Sequence, residues 1–162
     1  MPPKTFPTRI DVGAEVRAAT VRLLNTELAD LLDLHAQTKH AHWNVRGPDF
    51  IALHKLFDEL ADTLTDAIDD TAERAAALGG VANGTLRQAA AASRLPEFPA
   101  GTFKDLKVVE ALATRYADLA KYTREAIDAA DRFGDKDTAD LFTGVSRGLD
   151  KALWFLEAHL QG

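Results

Sequence analysis

The feature that most constrains this chain is its punctuation. Four long stretches of apolar residues at helical spacing are cut by Gly47-Pro48, by Gly79-Gly80 and by the short turn Phe133 to Asp137. Ala, Leu, Asp, Glu and Arg dominate and β-branched runs are scarce, so the stretches read as helices. The first is expected from about Gly13 to Arg46, with Leu23, Leu24, Leu28, Leu31, Leu32 and Ala36 on its apolar side. Gly47-Pro48 ends it, and Pro48 suits the first turn of the next helix. The second is expected from about Pro48 to Leu78, with Leu53, Phe57, Leu60, Leu64 and Ile68 as its core stripe. A third long helix is expected from about Phe103 to Arg132, opened by Thr102 with Asp105 as a variant capping box. The fourth is expected from about Thr138 to Leu160, with Asp137 as N-cap.

The joins then fix the topology. Short links within the first and last pairs make two antiparallel hairpins. The link from Gly79 to Thr102 is far longer than the ~2–8 residues usual in bundles. It has room for a short helix between Thr85 and Ser93, ahead of Pro96 and Pro99. The fold expected is all-α, a ferritin-like four-helix bundle with one long crossover. Residues 1–12 read as a short tail and 13–162 as one domain, a size that a single core can hold at 162 residues.

Composition narrows the chemistry. There is no cysteine, so disulfides, thiolate metal sites and cysteine nucleophiles are excluded. The formal charge is −6, which disfavours a generally basic nucleic-acid binder. No apolar run approaches ~18 residues, so no membrane helix is expected. The start, MPPKTFPTRI, lacks the layout of a secretory signal. A cytoplasmic protein is the resulting expectation.

The second helix carries the candidate chemistry. His54 and Asp58 are four residues apart, as are Asp69 and Glu73, so each pair shares a face. Eleven residues from Asp58 to Asp69 return the chain to nearly the same face at ~100° per residue. Imidazole with carboxylate suits Fe(II), Zn(II) or Mn(II). Yet the two pairs lie about 16 Å apart along one helix axis, against metal–ligand bonds of roughly 2.0–2.2 Å. They can share an ion only if a second copy of the helix crosses antiparallel near Thr63 or Leu64, giving two identical sites about a two-fold axis. Ala61 and Thr65 are small and would let such helices approach. His42, just before the Gly47-Pro48 break, adds a third candidate beside His54. Read without metal, the same residues are surface ion pairs and a solvated acidic face that includes Asp62, Asp66 and Asp70.

The segments HAHWNVRGPDFIALHKLFDELAD (His40 to Asp62), AERAAALGG (Ala72 to Gly80) and DTADLFTGVSRGLDKALWFLEAHL (Asp137 to Leu160) resemble the Dps family of miniature ferritins. The resemblance implies a hollow homo-oligomer of twelve subunits built from two-fold dimers. It implies Fe(II) oxidation at intersubunit sites, with hydrogen peroxide preferred as oxidant, and storage of ferric mineral in the cavity. The implied ligands are His42, His54 and Asp58 from one subunit with Asp69 and Glu73 from its partner, with space for two iron ions per site. The E-x-x-H pattern of in-bundle ferritin sites is absent from this chain. Acidic pores in the family lie near the start of the fourth helix, where Asp135, Asp137 and Asp140 fall. Asp62, Asp66 and Asp70 would either nucleate mineral or simply solubilise the surface. Trp43 is expected to pack at its helix end, with interception of stray oxidising equivalents as the other role. His35 receives no role, and His159 is expected at a C-terminal helix end. The alternative function is a nucleoid-associated, DNA-protecting protein with an incidental metal site. Only Lys4 and Arg9 are cationic before the first helix, so DNA binding is disfavoured.

Overall fold

The computed structural model describes residues 4–161. Five helices follow in order: α1 (Ala14–Asn44), α2 (Phe50–Ala77), α3 (Leu86–Ala92), α4 (Asp105–Phe133) and α5 (Lys136–Ala158). No strand occurs among the described residues; Arg46 and Lys104 form one isolated bridge. The long helices α1, α2, α4 and α5 make the four-helix bundle, and α3 sits in the crossover against α1. Inter-helix bonds set the directions. Arg115 on α4 donates to Gln37 on α1 at 2.7 Å, and Thr123 further along α4 donates to Glu27 further back on α1. Falling numbers on α1 meet rising numbers on α4, so the two are antiparallel. Arg74 near the end of α2 bonds Asp135 at the start of α5 at 2.7 Å, so this pair is antiparallel as well.

The periodic leucines supply the core. Leu24, Leu28, Leu31 and Leu34 from α1 and Leu53, Phe57, Leu60 and Leu64 from α2 are buried. Leu31, Leu34 and the α2 residues meet Val109, Leu112, Tyr116 and Leu119 from α4 and Leu149 and Leu156 from α5, and Leu24 packs in a second cluster with Ala75, Leu78, Ala126 and Phe142. Ile68 is only half-buried and Ala36 is exposed, at the margins of their stripes. Burying a leucine or phenylalanine side chain contributes roughly 1.5–3 kcal/mol, so this stripe is the main source of bundle stability.

Helix starts depart from expectation where distant backbone intervenes. Arg46 donates its N–H to Phe103 O at 2.7 Å and accepts from the Asp105 N–H at 3.0 Å. This pairing draws the chain before α4 into extended geometry. The N-cap is therefore Lys104, which caps through no side chain, and the expected Thr102–Asp105 box does not form. Asp105 instead accepts from the N–H of Leu106 at 3.0 Å. It also crowds Gly47, where a Cβ would lie 2.3 Å from its carboxylate. Pro48 stands outside α2, inside a turn closed by Phe50 N–H to Gly47 O at 3.1 Å. The N-cap of α5 is Asp135, not Asp137, because the helix begins two residues earlier than its apolar pattern suggests. The short helix α3 does form where expected, and Thr85 and Gln88 close a full capping box around its first turn.

Gly79 does more than stop α2. Its φ of 82° is one that side chains disfavour, and a Cβ there would lie 2.4 Å from Phe6 O. The Phe6 N–H donates to Gly79 O at 2.8 Å, so the segment ahead of α1 is fastened to the α2 end.

The crossover is held by buried charge. Arg94 donates to Asp30 through its backbone N–H at 2.6 Å, its Nε at 2.8 Å and its Nη2 at 2.5 Å. It also reaches Glu27 at 3.4 Å and lies 4.3 Å from the Tyr122 ring centre. Arg115 donates to Glu97 O, and Ser93 donates to Asp33 at 2.6 Å. Burial pushes the Glu27 carboxyl up to about 7, against the opposing Thr123 hydrogen bond and Arg94 charge. The folded state thus holds a proton that the unfolded chain releases near 4.5. Stability from Glu27 is full below about pH 4.5 and is lost as pH rises towards 7, by roughly 3 kcal/mol in all. Denaturation of wild type and Glu27→Gln at pH 5 and pH 8 checks this. Wild type should lose more stability across that interval than the variant; equal losses would contradict the assignment.

Candidate metal centre

The turn between α1 and α2 lays the last turns of one helix beside the first turns of the other. His42 is buried and His54 half-buried there. Their rings stack with centres 3.8 Å apart and planes 19° apart. Each ring bonds the other residue's backbone: His42 Nδ1 to His54 O at 2.7 Å, and His54 Nδ1 to His42 O at 2.8 Å. A carbonyl oxygen only accepts, so each Nδ1 carries the proton. In the neutral rings the Nε2 lone pairs are then free, the state that a metal requires of imidazole. The pairing sets tautomer and ring orientation together.

Asp58 lies beside the pair, near His42. Its Oδ1 lies 3.8 Å from His42 Nε2 and accepts from Lys39 Nζ at 2.5 Å. The Lys39 hydrogen bond holds the Asp58 carboxyl below the usual carboxylate range; desolvation opposes it, and the neighbouring charges assist it. The Phe50 ring lies 5.1 Å from His54 and walls one side.

Asp69 and Glu73 stand apart from this cluster, exposed on the second half of α2. Among the described residues, no group of three histidine or acidic side chains in one chain is gathered closely enough to hold a metal ion. One chain stacks His42 on His54 and sets Asp58 near His42 without closing a metal site by itself, and it leaves Asp69 and Glu73 about three turns farther along α2. Thr63 and Thr65 are exposed between them, as a helix crossing would need. Ala61 is fully buried within the subunit and cannot take part in such a contact.

Other expected positions sort by burial. Asp135 is 2% exposed and bonds Arg74, the Thr138 N–H at 3.1 Å and the Thr138 hydroxyl at 2.8 Å. Assembly can only bury it further, so it is a helix cap and does not line a pore. Asp137 and Asp140 are exposed, with Asp137 3.8 Å from Arg74. Trp43 is 65% exposed, contrary to packing, and lies 6.0 Å from Lys39 Nζ. His35 is half-buried, and its pKa is lowered by burial and by Lys39 against the pull of Asp62. His159 caps the end of α5 and bonds Phe155 O at 2.8 Å. Sequence reasoning missed Lys39, whose signal was its place one turn before His42 on the same helix face.

Known proteins share this arrangement of helices. The ferritin-like domain family matches residues 21–162. A DNA protection during starvation protein of Agrobacterium fabrum is 43% identical over 158 residues, covering 98% of both chains. DpsA14 from Streptomyces coelicolor superposes with a TM-score of 0.93 at 36% identity, over 99% of this chain and 95% of its own. A Mycobacterium smegmatis Dps superposes at 0.92 with 28% identity, over 97% and 94%. With matches in sequence and in fold that run nearly end to end, the chain belongs to the Dps group of ferritin-like proteins.

Proposed function

We propose that the protein is a ferroxidase and iron store. It takes up Fe(II) as substrate at sites shared by two subunits, oxidises it with hydrogen peroxide and keeps the ferric product inside a hollow, cytoplasmic, twelve-subunit shell. The observation that carries this reading is the His42–His54 pair, whose mutual backbone bonds leave both Nε2 atoms free, that of His42 3.8 Å from Asp58. Two imidazoles and one carboxylate favour Fe(II) over Mg(II) or Ca(II), which prefer oxygen donors. Asp69 and Glu73 of the partner subunit supply the remaining oxygen ligands, enough for one or two ions. Asp58, held ionised, lowers the charge that accumulates as iron passes from the ferrous to the ferric state. Two Fe(II) each yield one electron, and one hydrogen peroxide takes both with two protons to give two waters. The exposed acidic side chains Asp62, Asp66 and Asp70, with Asp137 and Asp140, supply negative potential to draw the cations in.

The second reading, protection by coating DNA, is favoured by the name of the Agrobacterium relative. It has little electrostatic support here. The net charge is −6, and the segment with Lys4 and Arg9 is fastened at Phe6. Protection through removal of iron and peroxide needs no DNA contact.

Replacing His42 and His54 together by alanine should cut peroxide-driven Fe(II) oxidation by a hundredfold or more with the assembly intact; wild-type rates would refute the site. Gel shifts across a salt series should show no duplex retention even at low salt. Salt-sensitive retention would favour the coating reading.

A further inference from the structure

The ammonium of Lys39 sits at the atom a metal needs. Its Nζ is 2.5 Å from Asp58 Oδ1, the same oxygen that lies 3.8 Å from His42 Nε2. An ion bonded to both atoms at roughly 2.0–2.2 Å would lie between them. A divalent ion and an ammonium on one oxygen repel strongly at such distances. Both cannot hold the near side of Asp58. The Lys39 side chain is held rather than waving in solvent, with 25% exposure.

We propose that Lys39 is a tethered competitor cation. It occupies Asp58 in the metal-free centre, incoming metal must displace it, and its displacement sets the affinity and selectivity of the site. This rests on the metal centre proposed above. The ammonium has somewhere to go. The Trp43 ring centre is 6.0 Å away, exposed and able to take a cation on its face. Asp62 is exposed on α2 one turn beyond Asp58, and its charge opposes that of Lys39 at His35. Selectivity follows from the chemistry. Calcium and magnesium depend on carboxylate oxygen, so a blocked Asp58 removes the group they bind best. Iron and zinc retain the two imidazole nitrogens as a first foothold and can then expel the lysine. Lys39 is thus a specificity-determining residue that holds no metal itself.

Zinc calorimetry on the assembled protein tests this without any redox step. Lys39→Gln and Lys39→Met should each bind zinc about tenfold more tightly than wild type, and magnesium should compete better against zinc in both. Lys39→Arg, which keeps the charge, should stay within a few-fold of wild type. His54→Ala should weaken binding at least tenfold. If His54→Ala weakens binding but neither neutral variant strengthens it, the role of Lys39 is overturned while the centre stands. If His54→Ala binds zinc as wild type does, the centre fails and the proposal with it.

Discussion

Two reciprocal hydrogen bonds between the end of α1 and the start of α2 organise the functional part of this molecule. Each histidine gives its Nδ1 proton to the backbone of the other, so neither ring can turn without breaking its bond. The bonds staple the hairpin that begins the bundle. They also fix both tautomers and leave both Nε2 atoms without a backbone partner. Ligand geometry and helix packing are therefore one interaction, not two. The core leucines bring the helices together, and the histidine pair decides how their ends meet.

The same economy of charge appears in the crossover. The chain that travels between α2 and α4 packs its short helix α3 against α1, and just beyond α3 Arg94 fastens it to the bundle at Glu27 and Asp30. Buried carboxylates without such a partner would be strongly destabilising. Arg94 and Lys39 are alike in this respect. Each is a cation that the chain supplies to acids from a distant stretch of sequence, sixty-four residues away for Arg94 and Asp30 and nineteen for Lys39 and Asp58.

The helices were legible because apolar period and Gly or Pro breakers are local signals. Leu53, Phe57, Leu60 and Leu64 repeat on one face whatever lies across from them. The topology was legible from link length alone. The helix starts were less so. Asp137 looks like a cap by spacing, but α5 starts earlier because Asp135 is drawn inward by Arg74, sixty-one residues away. Thr102 loses its capping role to the pairing of Arg46 with Phe103 and Asp105. At the site, the spacing of His54 and Asp58 marked a face, and His42 was placed beside them by the shortness of the turn. The stacking of the imidazoles and the grip of Lys39 on Asp58 depend on side chains meeting across two helices. Trp43 sits next to a candidate ligand in sequence yet points outward, because its neighbours His42 and Ala41 take the buried positions.

The most direct measurement of the central claim is complementation between two inactive variants. One carries His42→Ala with His54→Ala and the other Asp69→Ala with Glu73→Ala, unfolded together and co-assembled at equal ratio. Sites shared across a two-fold dimer predict that each variant alone is inactive in peroxide-driven Fe(II) oxidation. They predict that the mixture recovers about a quarter of wild-type activity, since half of randomly paired dimers hold one intact site of two. A mixture as inactive as its parents would contradict the shared centre.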